Sequence, residues 1–377
     1  MDYKKLALDL HAHYKGKITT SLRDNSTLDK DKLSAYYTPG VAEVSRVIAE
    51  DPSQLKTYTW VNNLVAVISD GSAVLGLGDI GPRGSMPVME GKALLFKHFA
   101  DIDSVPITLD VHTEDEIVAA IKAIAPSFGA INLEDIAAPK CFAIEERLKA
   151  ELDIPVFHDD QHGTAVVVLS SLINAAKVTN RNLRDSKVVI IGAGAAGTAI
   201  TKLLHTYGIQ NIIAVDSRGA LGQHRDDLNP EKQALLEYVT RDVSGSLEDV
   251  IVGADIFIGV SKPGLLTQDM VRSMNQESII FALSNPTPEI MPEEAKAAGA
   301  AVVATGRSDF PNQVNNAIAF PGIFRGALDN NVTKITDEHK LAAAAAIANL
   351  IPDPQSEHII PSVFDDRLVP AIARVIK

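Results

Sequence analysis

The run Val188-Val-Ile-Ile-Gly-Ala-Gly-Ala-Ala-Gly197 constrains this chain more than any other stretch. A series of β-branched residues ends in a G-x-G-x-x-G turn. The turn opens directly onto Thr198-Ala-Ile-Thr-Lys-Leu-Leu, which reads as a helix. Nineteen residues beyond Gly197, Asp216 closes a second apolar run, Ile212-Ile-Ala-Val-Asp216. Strand, turn, helix, strand and terminal acid make a site for a dinucleotide. The first glycine permits a tight turn, the second lets backbone approach a pyrophosphate, and the third lets helix and strand pack closely, with the helix N-terminus facing the anion. Gly192, Ala193, Gly194, Ala195, Ala196 and Gly197 are thus the expected contacts to a nicotinamide or flavin cofactor.

The spelling alone decides little. Gly76-Leu-Gly-Asp-Ile-Gly81 has the same glycine spacing and follows the apolar run Leu64-Val-Ala-Val-Ile68. Pro82-Arg-Gly84 and Pro87 come next, so no helix is expected to start at its third glycine, and Asp79 would repel a pyrophosphate. Only the later copy has the strand and helix that the chemistry needs.

Around that copy the pattern predicts strands at 187–192, 211–216, 255–260, 279–283 and 301–305 with helices between, a doubly wound parallel sheet. Thr336 with Asp337 and Glu338 reads as the start of a closing helix. Before residue 160, short strands at 64–68, 106–109 and 130–133 alternate with helices expected at 41–49, 91–100 and 114–123. A long apolar helix, 162–178, links this region to the next. The organisation is α/β throughout: an N-terminal α/β unit at 1–160, then a Rossmann-type domain with C-terminal helices at 161–377. A length of 377 residues suits two domains.

Net charge is −13, a poor match for nucleic acid or anionic membrane. Cys141 is the only cysteine, which rules out an intrachain disulfide and fits a reducing cytoplasm. The first eleven residues carry acids and a histidine where a secretory signal would need an apolar core. The apolar stretch 341–351 is too short to span a bilayer and reads as a packing helix.

Four further segments hold reactive side chains densely: Tyr36-Tyr-Thr-Pro-Gly-Val-Ala42, Pro87-Val-Met-Glu-Gly-Lys92, Asn132-Leu-Glu-Asp-Ile136 and Phe157-His-Asp-Asp-Gln-His-Gly-Thr-Ala165. Each has a bland reading: Asp159 or Asp160 as a helix cap, Lys92 as a solvated lysine, Tyr37 as a half-buried aromatic. Together the acids say more. Glu134, Asp135 and Asp160 converge if the strands before them are neighbours, giving an all-oxygen set suited to Mg²⁺ or Mn²⁺. His158 and His162 stand four apart, a zinc-compatible spacing, but the flanking acids favour a harder ion.

At these residues the sequence resembles the malic enzymes, in particular their short bacterial form. The resemblance runs through Tyr37-Thr-Pro-Gly-Val, Ser69-Asp-Gly, Leu75-Gly-Leu-Gly-Asp-Ile-Gly81, Gly91-Lys92, Glu134-Asp135, Asp159-Asp-Gln-His-Gly-Thr-Ala165, the glycine turn, Leu283-Ser-Asn-Pro-Thr287 and Asn315-Asn-Ala-Ile-Ala-Phe-Pro-Gly322. It implies oxidative decarboxylation of L-malate, with non-redox oxaloacetate decarboxylation or malolactic conversion as alternatives on the same scaffold. It further implies a divalent metal at Glu134, Asp135 and Asp160, Lys92 as general base, Tyr37 as general acid, and Asn285 and Asn315 at the nicotinamide and substrate. A homodimer is implied as well, with an N-terminal active-site residue that can come from the neighbouring subunit. One position departs from the pattern: Ala73 stands where larger members carry a carboxylate-gripping arginine, which leaves Arg325 and backbone amides as candidate clamps. Asp216 favours NAD through the ribose 2′-hydroxyl, whereas Arg218 could accept the 2′-phosphate of NADP. The expectation is NAD, with Asp216 facing the ribose and Arg218 facing solvent.

Overall fold

Two parallel sheets organise the chain in a computed structural model that describes residues 3–377. The first has the order β2-β1-β3-β4, with β1 at Leu64–Ser69, β2 at Asp103–Thr108, β3 at Ala130–Leu133 and β4 at Val156–His158. Its pairs are all parallel, because each strand returns through a helix: Gly81–Ala100, Glu114–Ile124 and Lys140–Glu151. β1 is buried along its whole length, as an unbroken apolar run requires of a strand covered on both faces.

The second sheet has the order β10-β9-β8-β5-β6-β7. Its strands are β5 (Lys187–Ile191), β6 (Asn211–Asp216), β7 (Gly219–Ala220), β8 (Ile256–Gly259), β9 (Ile279–Ala282) and β10 (Val302–Thr305). All pairs are parallel except the small β6–β7 hairpin. The five strands expected from sequence lie within one residue of their expected ends. From β5 the chain steps to β6 on one side and later to β8 on the other. A ligand crevice opens at that reversal, beyond the strand C-termini.

One expectation is overturned. The helix Gly81–Ala100 begins at the third glycine of the earlier G-x-G-x-x-G, despite its prolines. Pro82 falls in the first turn, where its missing N–H costs no intrahelical bond. Pro87 lies inside the helix, but the carbonyl it strands belongs to exposed Arg83, within reach of water. This turn still does not offer its amides to a phosphate. The Gly81 N–H donates to Asp79 Oδ1 and to the Gly71 carbonyl, each at 3.2 Å.

The helix Asp159–Val178 runs between the sheets. Val166, Val168 and Leu169 share one apolar cluster with Val65 and Val67 of β1 and with Val188 and Ile190 of β5, so the two sheets are built on a common core. The helices Phe320–Asp329, Asp337–Ala348 and Leu368–Ala373 close that core. Thr336 caps the second of them by accepting from the His339 N–H, and Ala343, Ala344 and Ile347 are buried, so the apolar 341–351 segment is indeed a packing element. No helix among the described residues is long and apolar enough to cross a membrane. In contrast, the N-terminal helices Tyr3–Tyr14, Lys30–Tyr36 and Val41–Glu50 bury no residue.

Candidate active site

Sheet order brings the acids together. β3 and β4 are parallel neighbours with Leu133 opposite His158, so Glu134 and Asp135 leave one strand beside Asp159 and Asp160 leaving the next. Glu134, Asp135 and Asp160 each present a carboxylate oxygen, all within 4.8 Å of one another. The Asp135 N–H donates to Asp160 at 2.8 Å, and Asn132 Nδ2 donates to Glu134 at 3.0 Å. Burial, reinforced by Asp160, pushes Glu134 well above the usual carboxylate range and Asp135 up to about 7. Asp135 Oδ2 is buried with no hydrogen-bond partner. Hard oxygens that repel one another, one of them orphaned, fit a divalent cation of the Mg²⁺ or Mn²⁺ type.

Lys92, on the Gly81–Ala100 helix, is only 8% exposed. Its Nζ lies 3.0 Å from Glu134 Oε1, pairs with Asp159, and sits 4.7 Å from the centre of the Phe320 ring. Its close charged neighbours are carboxylates. Burial, the largest single influence, lowers the Lys92 pKa, but Asp159, Glu134 and Asp160 together raise it above its ordinary value. Asp159 is therefore more than a helix cap: it is fully buried, its Oδ1 is unpartnered, and its other oxygen holds the lysine. Gly163 makes room for it, since a Cβ there would stand 1.9 Å from Asp159 Oδ1. The only sequence signal for Asp159 was its place beside Asp160.

The zinc alternative loses one of its two ligands. His158 ends β4 while His162 lies in the helix, so the pair does not share a helical face. His162 Nε2 is 2.8 Å from Glu145 Oε2, its Nδ1 is 3.2 Å from Lys340 Nζ, and burial pulls its pKa down to about 4.

Each glycine of the turn does a separate job. Gly192 has φ +114°, and a Cβ on it would lie 2.6 Å from the Val260 carbonyl; a Cβ on Gly197 would lie 1.6 Å from the Gly192 carbonyl. A Cβ on Gly194 would meet nothing within 4 Å, which leaves the space a pyrophosphate needs. The helix Ala195–Tyr207 starts there, with Ala196 in its first turn and Ala193 just before the Gly194 cap. Ala195 packs against the apolar cluster that holds Leu133 and Ile136, so the turn and the acid cluster face one crevice. Asn285 reaches the same place: a Cβ on Gly76, in the loop after β1, would lie 2.9 Å from its carbonyl. The Asn315 side chain caps the Asn316–Ile318 turn and lines a cavity of about 450 Å³ with Leu94 and Phe99.

Asp216 ends β6 beside the turn, as expected, but it does not present an open carboxylate. It accepts from Arg225 at 3.0 Å, Lys232 at 2.6 Å and the Arg218 N–H at 2.8 Å. Burial pushes its pKa up, but those hydrogen bonds outweigh it and hold the group below its usual range. Arg218 itself is 70% exposed and pairs with Asp227.

The remaining expected residues lie apart. Tyr37 is 67% exposed and its hydroxyl has no partner among the described residues. Arg325 is committed to Asn63 and Asp329 and lines a separate groove of about 1150 Å³ with Trp60 and Lys97, which none of the acids borders. That sets Arg325 apart from the acid cluster. At the place of the missing arginine, the Ala73 N–H donates to the Asp135 carbonyl at 3.0 Å, so that amide is already spent.

Comparison with known proteins agrees with this geometry. A family model described as "Malic enzyme, NAD binding domain" matches residues 161–373, and one described as "Malic enzyme, N-terminal domain" matches 15–116 and 112–149. The bifunctional malic/malolactic enzyme of Bacillus subtilis is 53% identical, covering all of this chain and 92% of that protein. An NAD-dependent malic enzyme of Geobacillus stearothermophilus is 54% identical over 97% of this chain and 76% of its own. The crystal structure of an NAD-dependent malic enzyme from Thermotoga maritima superposes with a TM-score of 0.95 at 50% identity, covering 98% of each chain.

Proposed function

This chain belongs to the malic enzyme family, and on that premise we propose that the crevice between its two sheets carries out oxidative decarboxylation of L-malate to pyruvate and CO₂. The observation that carries the reading is buried Lys92 held between Asp159 and Glu134, beside a three-carboxylate cluster. The glycine turn opens into the same crevice. The nicotinamide dinucleotide supplies the hydride acceptor, and a divalent cation at Glu134, Asp135 and Asp160 supplies Lewis acidity toward the C2 oxygen.

Lys92 takes the proton from the C2 hydroxyl. To do so it must be neutral, and two of the three carboxylates that raise its pKa, Glu134 and Asp160, are the ones engaged when a cation is bound. With fewer free negative charges facing it, burial carries more weight toward the neutral amine. Tyr37 delivers a proton to C3 after CO₂ leaves. Asn285 and Asn315 orient the nicotinamide and substrate, and the division of labour falls at residues 160 and 161. The single buried cysteine, Cys141, suits a reducing cytoplasm.

A second reading, decarboxylation without net redox, keeps the same residues. The relative named as bifunctional malic/malolactic favours retaining it. Incubation with L-malate, Mn²⁺ and either NAD or NADP should yield reduced cofactor and pyruvate in equal amounts. Lactate without reduced cofactor, or turnover of oxaloacetate alone, would move the assignment to the second reading.

The exposed Tyr37 calls for a second copy of the chain. Tyr3, Leu8, Tyr14, Leu22, Tyr36 and Tyr37 form an apolar N-terminal arm with more than 60% of each residue exposed, a surface that solvated monomers avoid. A homodimer in which this arm crosses over would bring Tyr37 to Lys92 of the partner subunit. Tyr37→Phe and Lys92→Ala proteins, each inactive alone, should regain activity when unfolded and refolded together. Random pairing makes half the dimers mixed, each with one intact site, or about a quarter of wild-type activity. No recovery in verified mixed dimers would place both residues in one protomer.

A further inference from the structure

A cavity of about 340 Å³ lies where the two halves of the chain meet. The helix Lys140–Glu151 of the N-terminal unit brings Glu145 and Lys149 to it. The linking helix Asp159–Val178 brings Gln161 and His162. Lys202 comes from the helix Ala195–Tyr207, and Asp337 and Lys340 from the helix Asp337–Ala348. Neither the three metal-type acids nor the turn glycines line this cavity. Its acceptors are already engaged. Glu145 Oε1 accepts from the His158 N–H at 3.0 Å and pairs with Lys149 at 2.7 Å, while Oε2 lies 2.8 Å from His162 Nε2. An ammonium only donates, so His162 Nδ1, 3.2 Å from Lys340 Nζ, accepts, and the ring proton sits on Nε2 facing Glu145.

We propose that this cavity is a binding site for a small organic anion with a phosphate or carboxylate head. Its donors outnumber its acceptors. Lys340, buried at 7% exposure, spends two of its three N–H groups, on Asp337 at 2.7 Å and on His162. Lys149 spends one, on Glu145. Lys202 makes no ion pair, and its ammonium stands 5.5 Å from the centre of the Tyr238 ring. Gln161 is buried, and its Nε2 has no hydrogen-bond partner. A buried N–H without an acceptor is costly, and the lysines around it cannot supply one. Charge points the same way. Lys149, Lys202 and Lys340 carry three positive charges against the two negative charges of Glu145 and Asp337, a net +1. Glu146 stands at the exposed rim and pairs with none of them. Burial and then the Lys149 charge lower the Lys340 pKa, so the two ammonium groups oppose one another. A water would serve Gln161 but not that charge; an anion serves both. Phe142, Leu203 and Tyr238 add apolar wall for an organic body behind the head. A ligand held by Lys149 and Lys202 at once would tie the N-terminal unit to the dinucleotide domain.

The test measures binding alone and does not depend on malate chemistry. Inorganic phosphate and butyrate are titrated into the full chain by calorimetry at constant ionic strength. Saturating ADP-ribose fills the glycine turn, where phosphate could otherwise bind. One of the two anions should bind saturably, and the tighter one identifies the head group. Lys202→Met should weaken it about tenfold, the scale of one lost charge-assisted hydrogen bond. The exposed Lys202 makes this variant safe for the fold, whereas Lys340→Met removes a buried ion pair and is read only if its Tm shows a folded protein. Gln161→Leu separates a ligand donor from a packing flaw: a flaw predicts a higher Tm with unchanged affinity, and the proposal predicts affinity lower by about tenfold. The bound anion should also raise the Tm of the wild type more than that of Lys202→Met. No saturable binding of either anion overturns the proposal. So does an affinity that is the same in the wild type, Lys202→Met and Gln161→Leu, which marks an adventitious ion only.

Discussion

Replacing Lys92 by alanine is expected to lower malate-dependent reduction of the cofactor by about 10²–10⁴-fold, the usual worth of a positioned general base. The dinucleotide should still bind, because Lys92 stands on the Gly81–Ala100 helix and the glycine turn follows β5. A merely structural lysine would behave differently. Removing one partner of a buried ion pair usually destabilises the fold, and Lys92 is paired with both Glu134 and Asp159. Here, however, the lost ammonium is also a positive charge that a cation at Glu134 must overcome. Lys92→Ala should therefore keep or improve its affinity for Mn²⁺, read by calorimetry, while turnover collapses. Near wild-type kcat would remove Lys92 as the base. Loss of cation and cofactor binding together would show that the residue props the fold and nothing more.

The doubly wound sheet was legible because its signals are local. The run 187–192 is β-branched, its glycines fall at fixed offsets, and the five strands were readable from apolar runs bounded by turns. The acid cluster was legible one step less directly. Glu134 and Asp160 are 26 positions apart in sequence, and their convergence was conditional on β3 and β4 being adjacent. Parallel pairing of Leu133 with His158 meets that condition. The helix that starts at Gly81 was misread because two prolines were weighed as breakers regardless of position. Proline is tolerated in the first turn, and Pro87 strands only an exposed carbonyl.

What stayed hidden depends on side chains that approach from distant segments. Arg225 and Lys232 lie 9 and 16 residues beyond Asp216, in a stretch with no recognisable motif, so the acid looked free when it is not. The direction of the Lys92 pKa could not be read either. It is the balance of burial against three carboxylates from β3 and the helix after β4, and only the packed structure sets that balance. The same limit applies to Tyr37. Its sequence context marks it as reactive, but in the folded chain it is exposed, and only the dimer proposed above would enclose it.

Removal of the divalent cation should abolish turnover, and its rebinding should depend on pH in a direction the acid cluster dictates. Burial and the Asp160 charge raise Asp135 from an ordinary 3.8 to about 7 and push Glu134 the same way. These are acids whose folded-state pKa lies above the unfolded value. The metal-free folded protein therefore holds protons that the unfolded chain releases, and stability is lost as pH rises from about 4 through 7. A cation competes for those same oxygens. Its apparent affinity should weaken about tenfold per pH unit below 7 for the proton displaced from Asp135. Thermal unfolding of EDTA-treated protein should thus show a Tm that falls as pH rises toward 7, with a gain on adding Mn²⁺ that is small at pH 5 and large at pH 8. Turnover should be lost by about 10³-fold or more after chelation, since the cation is worth several kcal/mol at the transition state, and should return with Mn²⁺ or Mg²⁺. Asp135→Asn should flatten the pH dependence of the Mn²⁺ effect and fail to recover turnover at ordinary Mn²⁺ concentrations. Full activity after exhaustive chelation, rescue by Zn²⁺ alone, or a Mn²⁺ effect independent of pH would mean that Glu134, Asp135 and Asp160 do not form the metal site.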